Sequence, residues 1–176
     1  MAVTRNRKQK TGVKKTRRWL LLAVATFVAL PLGAQDAGIP VGSKAPAAVL
    51  ETLDGAAANL DAWIGKEPVF IEFWATWCPI CKTLEPQLLK LQQQYAGKVR
   101  FIGVSVSVNQ SPALVKRYVS AHGLQGEQLY DRKGFATDAY DVPTTSYVVV
   151  INAKGTVVYT GSGAKQNLAT ALTKAF

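Results

Sequence analysis

Residues 68–81 read PVFIEFWATWCPIC, and the rest of the chain is organised around this stretch. Its first half is apolar except for Glu72, which is typical of a strand buried on both faces of a sheet. Leucines with helical spacing follow the stretch, at Leu84, Leu88 and Leu91. The only two cysteines of the chain, Cys78 and Cys81, are therefore predicted to lie where a buried strand ends and a helix begins.

This position favours thiol chemistry. The free N–H groups and the positive dipole end of a helix stabilise a thiolate, which is the attacking form of cysteine. Cys81 lies about one helical turn further along, so its sulfur is within reach of the first and can resolve a mixed disulfide. We assign Cys78 as the nucleophile and Cys81 as the resolving thiol.

Two other interpretations of the pair are less favoured. A structural zinc site usually needs two further Cys or His ligands at matching spacing, and this chain offers no third cysteine and the single, distant His122. A static disulfide across three residues closes a small ring and constrains the unfolded chain little. We therefore predict a redox-active disulfide, with no metal and no other cofactor.

Most of the formal charge of +10 lies in the N-terminal segment. Residues 1–18 contain eight Lys or Arg and no acid, whereas the remaining 13 basic and 11 acidic side chains leave a net charge of +2. The body of the chain has no basic patch with interleaved aromatic residues, so nucleic-acid binding is not expected.

Residues 1–34 have the features of an export leader. The basic run is followed by an apolar stretch of about 12 residues from Trp19 and by a small-residue end at Ala34, which predicts a secretory signal cleaved after Ala34. The alternative is an uncleaved membrane anchor over residues 19–34, and Arg17-Arg18 partly resembles a twin-arginine signal. Each alternative places the domain outside the cytoplasm, in the periplasm or an equivalent compartment, where disulfides persist.

The rest of the chain alternates strand and helix patterns. Residues 35–45 contain Pro40 and small polar side chains and are interpreted as a linker, so that residues 46–176 form one domain. Its first strand is expected to turn at Asp54-Gly55, a common hairpin dipeptide. Strands are expected at 48–53, 68–74, 99–106, 128–130, 146–151 and 156–160, and helices at 79–96, 112–122, 135–140 and 164–174. This order predicts an α/β fold, with a central mixed β-sheet and helices on both faces.

Glu72, the only acid in the apolar run 68–74, is the other residue for which the sequence predicts a chemical role. A carboxyl group in this strand would be buried beneath the cysteine pair, and burial raises its pKa. It could then accept the proton of the Cys81 thiol when that sulfur attacks a mixed disulfide. Trp74 is predicted to be in the core and Trp77 at the surface, whereas His122 ends a helix before Gly123 and receives no catalytic role.

The segment Phe73–Lys82, together with Pro86 five residues after the second cysteine, resembles the active site of the thioredoxin superfamily. The leader and the additional elements at 48–60 and 101–135 resemble the exported TlpA/ResA-like branch of thiol-disulfide oxidoreductases. The resemblance covers about residues 45–176 and implies the thioredoxin-like fold.

The resemblance also implies roles for individual residues. It implies that Cys78 is an exposed nucleophile, that Cys81 resolves, that Glu72 lies under the pair, and that Val142-Pro143 is a cis peptide facing the disulfide. Members of the family often carry an acid three residues after the second cysteine, where this chain has Leu84 followed by Glu85. We assign substrate binding to the residues beside the pair and beside the proline: Trp77, Pro79, Ile80, Val142 and Thr144.

The predicted function is therefore an exported thiol-disulfide oxidoreductase, and more specifically a reductase. The partners that the resemblance implies are exported proteins with disulfides or thiols, such as apocytochrome c or copper-site proteins, and a membrane thiol donor that restores the dithiol. The membrane is contacted only through the N-terminal segment. The alternatives are a copper-binding protein that uses the same thiols and a thiol peroxidase. Copper carriers of this fold favour CxxxC with a downstream His, and the peroxidase would need a Thr-x-x-Cys arrangement.

Overall fold

The computed structural model describes Met1 and residues 37–176. The leader predicted at residues 1–34 lies outside the described residues, apart from Met1. The strands are β1 (Val49–Thr52), β2 (Ala57–Asn59), β3 (Val69–Trp74), β4 (Arg100–Val106), β5 (Glu127–Asp131), β6 (Tyr147–Ile151) and β7 (Val157–Gly161). The helices are α1 (Pro79–Gln94), α2 (Pro112–His122), α3 (Phe135–Ala139) and α4 (Leu168–Thr173), and a 3-10 turn covers Leu60–Ala62.

The seven strands form one mixed sheet in the order β2-β1-β5-β4-β3-β6-β7. The three central strands β3, β4 and β5 are parallel, and the outer strands are antiparallel to their neighbours. The first hairpin turns at Asp54-Gly55 as predicted, with Gly55 at a φ of 89° that favours glycine. The α/β prediction with a central mixed sheet is confirmed.

Strand β3 runs through the centre of the molecule, and all six of its residues are buried. Its alternate residues Val69, Ile71 and Phe73 join the larger core cluster on one face of the sheet. On the opposite face, Phe70 packs with the leucines of α1. Because side chains alternate along a strand, Glu72 points to the same face as Phe70, beneath α1. The buried strand predicted from the sequence thus places the one carboxyl group of β3 under the helix that follows the cysteines.

Residues 37–45, which the sequence assigns to a linker, pack on the domain. The N–H of Gly42 donates to the carbonyl oxygen of Val157 at 2.8 Å, and the N–H of Val157 donates to that of Ser43 at 2.9 Å. Ile39 is buried in the larger core cluster. Small residues around Pro40 in this segment form an extra edge along β7, so the folded domain begins earlier than the predicted boundary at residue 46.

The last helix starts at Leu168 and not at residue 164 as expected. The side chain of Asn167 caps it by accepting the N–H of Thr170 at 3.0 Å. Gly163 before it has a φ of 88°, which is a turn conformation and not a helical one. The helix therefore ends near its predicted position but is one turn shorter at its start.

No helix among the described residues is long and apolar enough to cross a membrane.

We expect Asp131→Ala to destabilise the domain by about 2–3 kcal/mol, because a buried group loses its hydrogen-bond partner. The Asp131 carboxylate is buried and accepts the N–H of Ala136 at 3.3 Å, the N–H of Thr137 at 2.8 Å and the hydroxyl of Thr137 at 2.7 Å. Urea unfolding measures the change. Asp138→Ala removes an exposed acid from α3, the helix whose first N–H groups Asp131 accepts, and should change stability by less than about 0.5 kcal/mol. Equal effects of the two substitutions would contradict the role of the Asp131 hydrogen bonds.

Candidate active site

Cys78 and Cys81 lie at the start of α1, just after the C-terminal end of the central strand β3. Cys78 is the N-cap residue with an extended backbone, and Pro79 occupies the first helical position, where its missing N–H has no cost. The N–H of Cys81 donates to the sulfur of Cys78 at 3.0 Å. The two cysteines form a disulfide with a Cα–Cα distance of 5.3 Å, so the structure brings together the pair predicted from the sequence.

The disulfide is more enclosed than the family resemblance implies. Cys78 is only 2% exposed, so the expectation of an exposed nucleophile is wrong for the oxidised protein. The physical reason is packing, because Cys78 joins an apolar cluster that contains Trp74, Val106 and Tyr130. Trp74 lies in the core as predicted.

Exposed apolar side chains lie beside this enclosed disulfide. Trp77 is 45% exposed and Ile80 is 39% exposed, which agrees with the predicted surface position of Trp77. The indole N–H of Trp77 donates to the carbonyl oxygen of Val108 at 2.7 Å, and Val108 is itself exposed. The loop after β4 therefore extends the apolar surface that Trp77, Pro79 and Ile80 present.

Glu72 is buried, as predicted, and it is 7% exposed. Burial in an apolar environment, reinforced by the nearby Glu85 carboxylate, raises the pKa of Glu72 to about 8. The Glu72 carboxyl group is therefore mostly protonated at neutral pH when the cysteines form the disulfide. Its role as the proton acceptor of Cys81 stays a prediction.

A cavity of about 20 Å³ lies between β3, β4, β5 and α1, and Glu72 and Cys81 both line it. Its volume is enough for about one water molecule. Gly103 is the register partner of Glu72 on β4, and a Cβ atom there would overlap the side-chain oxygen of Gln128 and come within 2.9 Å of the indole nitrogen of Trp74. The cavity exists because residue 103 has no side chain.

Glu85 is a second carboxylate that lines this cavity, one helical turn after Cys81. Its two oxygens bind the hydroxyl of Tyr118 at 2.5 Å and Nδ1 of His122 at 2.9 Å, both from α2. Burial and the hydrogen bond to Glu85 raise the pKa of Tyr118 well above its usual range. Sequence reasoning gave His122 no role beyond a helix end, because the helical spacing alone does not show which faces of α1 and α2 meet.

Gln110 is a second residue that sequence reasoning missed. Its side-chain oxygen accepts the N–H of Thr76 at 2.9 Å, and its amide nitrogen donates to the carbonyl oxygen of Val106. The hydroxyl of Tyr130 donates to its backbone oxygen at 2.7 Å. Gln110 therefore ties the loop before Cys78 to the end of β4.

The segment around Pro143 differs from the expectation. None of the peptide bonds in residues 37–176 is cis, so the expected cis Val142-Pro143 bond is wrong for this structure. Trans is the favoured form of an X-Pro bond, and the chain here bends through the positive φ angles of Asp141 (46°) and Ser146 (64°).

The three residues of this segment that were assigned to the site have different environments. Pro143 and Thr144 are exposed, whereas Val142 packs against the larger core cluster. Pro143 lines a surface depression with Tyr147 and Thr160. The binding roles of Val142 and Thr144, and the catalytic role of Pro143, remain predictions.

Within residues 37–176 no group of three or more His, Cys, Asp or Glu side chains is arranged to hold a metal ion.

Comparisons with known proteins agree with this geometry. The redoxin family model matches residues 40–174. The thioredoxin-like protein YneN of Bacillus subtilis is 31% identical over 137 residues, which is 76% of this chain and 79% of that protein. The thiol-disulfide oxidoreductase ResA of Halalkalibacterium halodurans is 29% identical over 158 residues, which is 85% and 89% of the two chains.

A solved structure shares the fold. It is a secreted disulfide oxidoreductase of Mycobacterium tuberculosis that is homologous to Escherichia coli DsbE, with a TM-score of 0.61 and 26% identity. The match covers 72% of this chain and 92% of that one. The thioredoxin-like fold that the sequence resemblance implies is confirmed.

Proposed function

This chain belongs to the redoxin family and is a thiol-disulfide oxidoreductase of the TlpA/ResA-like branch of the thioredoxin superfamily, and from this premise we propose that it is an exported protein disulfide reductase. The observation that carries the proposal is the Cys78–Cys81 disulfide at the start of α1 with the carboxyl group of Glu72 beneath it. The disulfide is the only redox group that the proposed reaction requires.

The proposed reaction begins with the dithiol form. The Cys78 thiolate attacks one sulfur of a partner's disulfide, and the other partner sulfur leaves as a thiolate that takes a proton from water. The Cys81 thiolate then attacks the Cys78 sulfur and breaks the bond to the partner, whose second sulfur leaves with the electron pair. The partner gains two electrons and two protons, and the Cys78–Cys81 disulfide is restored.

Glu72 is proposed to exchange a proton with Cys81. Both side chains line the same cavity, and none of the described residues that border it has a cationic side chain. When a donor reduces the disulfide, the protonated Glu72 gives its proton to the Cys81 sulfur and becomes a carboxylate. In the resolving step this carboxylate takes the proton back from the Cys81 thiol, which produces the attacking thiolate.

The surroundings of Cys78 support the reductase direction. A disulfide is a strong oxidant when the protein stabilises its reduced form. In residues 37–176 the only hydrogen bond to the Cys78 sulfur comes from the N–H of Cys81. The dipeptide between the cysteines is uncharged, and Lys82 lies 5.7 Å from the centre of the Tyr118 ring. Beyond the N-terminus of α1, nothing in the described surroundings of Cys78 adds to the stabilisation of the thiolate.

Substrate selection is proposed to use the apolar surface at Trp77, Pro79 and Ile80, which an unfolded or flexible exported protein could cover with its own apolar side chains. Val108 extends this surface through its contact with Trp77. We also propose that substrate binding involves Val142, Pro143 and Thr144. Partners of this chemistry include apocytochrome c and copper-site proteins, and a membrane thiol donor would reduce the disulfide again; nucleic acid is not among the proposed partners.

Export is proposed from the leader, with residues 1–34 as a signal peptide or with residues 19–34 as an anchor in the inner membrane. The disulfide oxidoreductase of Mycobacterium tuberculosis that shares the fold is a secreted protein. In an oxidising compartment the dithiol form needs an external supply of electrons, so the proposed membrane donor follows from the proposed location.

We expect the reduction potential of the full chain to lie near that of thioredoxin, about −270 mV. It is measured by equilibrating the protein with dithiothreitol or glutathione buffers and trapping the free thiols. The Cys78→Ala/Cys81→Ala variant is the control and should trap none. A potential near about −120 mV, which is typical of the oxidant DsbA, would contradict the reductase direction. The absence of a reversible two-electron couple would contradict the function altogether.

A further inference from the structure

The cavity beneath Cys81 contains more polar groups than the proposed proton exchange uses. Three buried side-chain oxygens that lack a hydrogen-bond partner in the described part of the chain belong to residues that line it, namely Glu72, Gln92 and Gln128. Glu85 lines the same cavity, but its two oxygens are engaged by Tyr118 and His122. One carboxyl group in the cavity is therefore buried without partners, and the other is connected to the protein surface.

Glu85 is connected to solvent through the side chain of His122. The Glu85 side chain is 15% exposed, and that of His122 is 38% exposed. His122 stacks on the Tyr118 ring, with the ring centres 3.8 Å apart and the planes at 14°. Stacking and the bond to Glu85 fix the imidazole in position, while part of the ring stays exposed to water.

Few charged groups face this cavity. The acidic groups that line it are Glu72 of β3 and Glu85 of α1, and the side chain from β5 is the neutral Gln128. Behind Glu85, the Tyr118 and His122 side chains of α2 bind its oxygens, and Lys82 lies over the Tyr118 ring. The two cysteines carry no charge in the disulfide. The Glu85 carboxylate is thus the negative charge that acts on Glu72, and His122 is the side chain bound to that carboxylate from the solvent side.

We propose that Glu85 and His122 are positioning residues of the redox site, which together control the release of the proton held by Glu72 across the cavity. The inference rests on the proposed proton exchange between Glu72 and Cys81. A carboxylate near Glu72 opposes the formation of a second negative charge, and a cation bound to that carboxylate reduces this opposition. Neither Glu85 nor His122 needs to touch the sulfurs for this control.

The test is the titration of Glu72 in the oxidised full chain, followed by the infrared carbonyl band of a buried protonated carboxyl group. The band is identified by its loss in Glu72→Gln. For the wild type the midpoint should lie at about pH 8. Glu85→Gln should lower it by about one pH unit, because a like charge near Glu72 is removed.

A matched pair at residue 122 tests the compensating charge. His122→Arg places a permanent cation beside Glu85, and His122→Gln places none, so the midpoint of Glu72 should be about half a pH unit lower in the arginine variant. In the Glu85→Gln background this difference should fall to less than half. Lys116→Gln removes a charge from the exposed side of α2, where Lys116 binds Asp54, and should leave the midpoint unchanged.

Equal midpoints in His122→Arg and His122→Gln would overturn the proposal, and so would an unchanged or raised midpoint in Glu85→Gln. If Glu85→Gln fails to fold, the comparison at the exposed residue 122 still decides. The titration is read in the disulfide form and needs no substrate. A failed shift with a normal reduction potential would therefore reject this inference alone, whereas the lack of a two-electron couple would reject the proposed function.

Discussion

Cys81→Ala is expected to convert the protein into a trap that holds its partner through Cys78. The first attack needs only the Cys78 thiolate, so a mixed disulfide still forms. Its resolution loses a sulfur that the fold holds next to Cys78, with the two Cα atoms 5.3 Å apart. Such an intramolecular group acts at a very high effective concentration, and we expect the release of the partner to slow by at least about 10³-fold.

Intact-protein mass spectrometry after mixing with a disulfide-containing protein such as insulin measures the adduct. Cys78→Ala is the matched control, because it removes the sulfur at the N-cap and keeps Cys81, which lies within α1 and lines the internal cavity. It should form no adduct and have no turnover. An adduct in Cys78→Ala that is as abundant as in Cys81→Ala would contradict the assigned order of the two sulfurs, and full turnover by Cys81→Ala would contradict the resolving role.

The position of the two sulfurs at the start of a helix could be predicted from the sequence because it depends on neighbours along the chain. The apolar strand, the cysteine pair and the proline at the first helical position follow one another within residues 68–81, and local backbone geometry then decides which sulfur begins the helix. The burial of Glu72 followed from the same strand pattern, since a polar residue in a fully buried strand cannot reach water. The α/β order followed from alternating periodicities.

What could not be predicted depends on contacts between distant segments. Tyr118 and His122 are 33 and 37 residues from Glu85 along the chain, and their meeting depends on the rotation of two helices about their axes. The cavity depends on Gly103, which lies beside Glu72 only because β3 and β4 pair in one register. Helical or strand spacing carries no information on either arrangement.

The two backbone differences have the same origin. Residues 37–45 have the composition of a linker, and their packing along β7 becomes visible only when an edge strand is present to bind them. The conformation at Pro143 depends on the positive φ angles of Asp141 and Ser146, residue types that do not require them. Composition indicates how flexible an isolated segment is, whereas contacts with the sheet determine the conformation that the segment adopts in the folded domain.

Glu72→Gln is expected to stabilise the oxidised protein, and the gain should grow as the pH rises. The pKa of Glu72 is about 8 in the folded protein against an ordinary value of 4.5. Between these values the folded state binds a proton that the unfolded state has released, so the wild type loses stability as the pH rises from about 4.5 to about 8. A neutral glutamine does not titrate, so the variant does not lose this stability as the pH rises.

The size of the effect follows from the same linkage. A carboxyl group whose pKa is raised from 4.5 to about 8 destabilises the folded state above pH 8 by an amount of the order of 5 kcal/mol, as an upper limit. The glutamine amide would also supply a hydrogen-bond donor in a cavity bordered by the unpartnered side-chain oxygens of Gln92 and Gln128. Urea unfolding without reductant at pH 5, 7 and 8.5 measures the difference between the variant and the wild type.

Glu127→Gln is the control for this comparison. It removes a carboxylate from β5 that is partly exposed and paired with Arg100 at 3.4 Å, so stability should change by less than about 0.5 kcal/mol, with little dependence on pH. The Glu72→Gln variant should at the same time resolve mixed disulfides more slowly, because it cannot take the proton of Cys81. A stability difference that is constant from pH 5 to 8.5 would show that Glu72 does not hold its proton in the folded protein, and both the proton exchange with Cys81 and its control by Glu85 and His122 would then fail together.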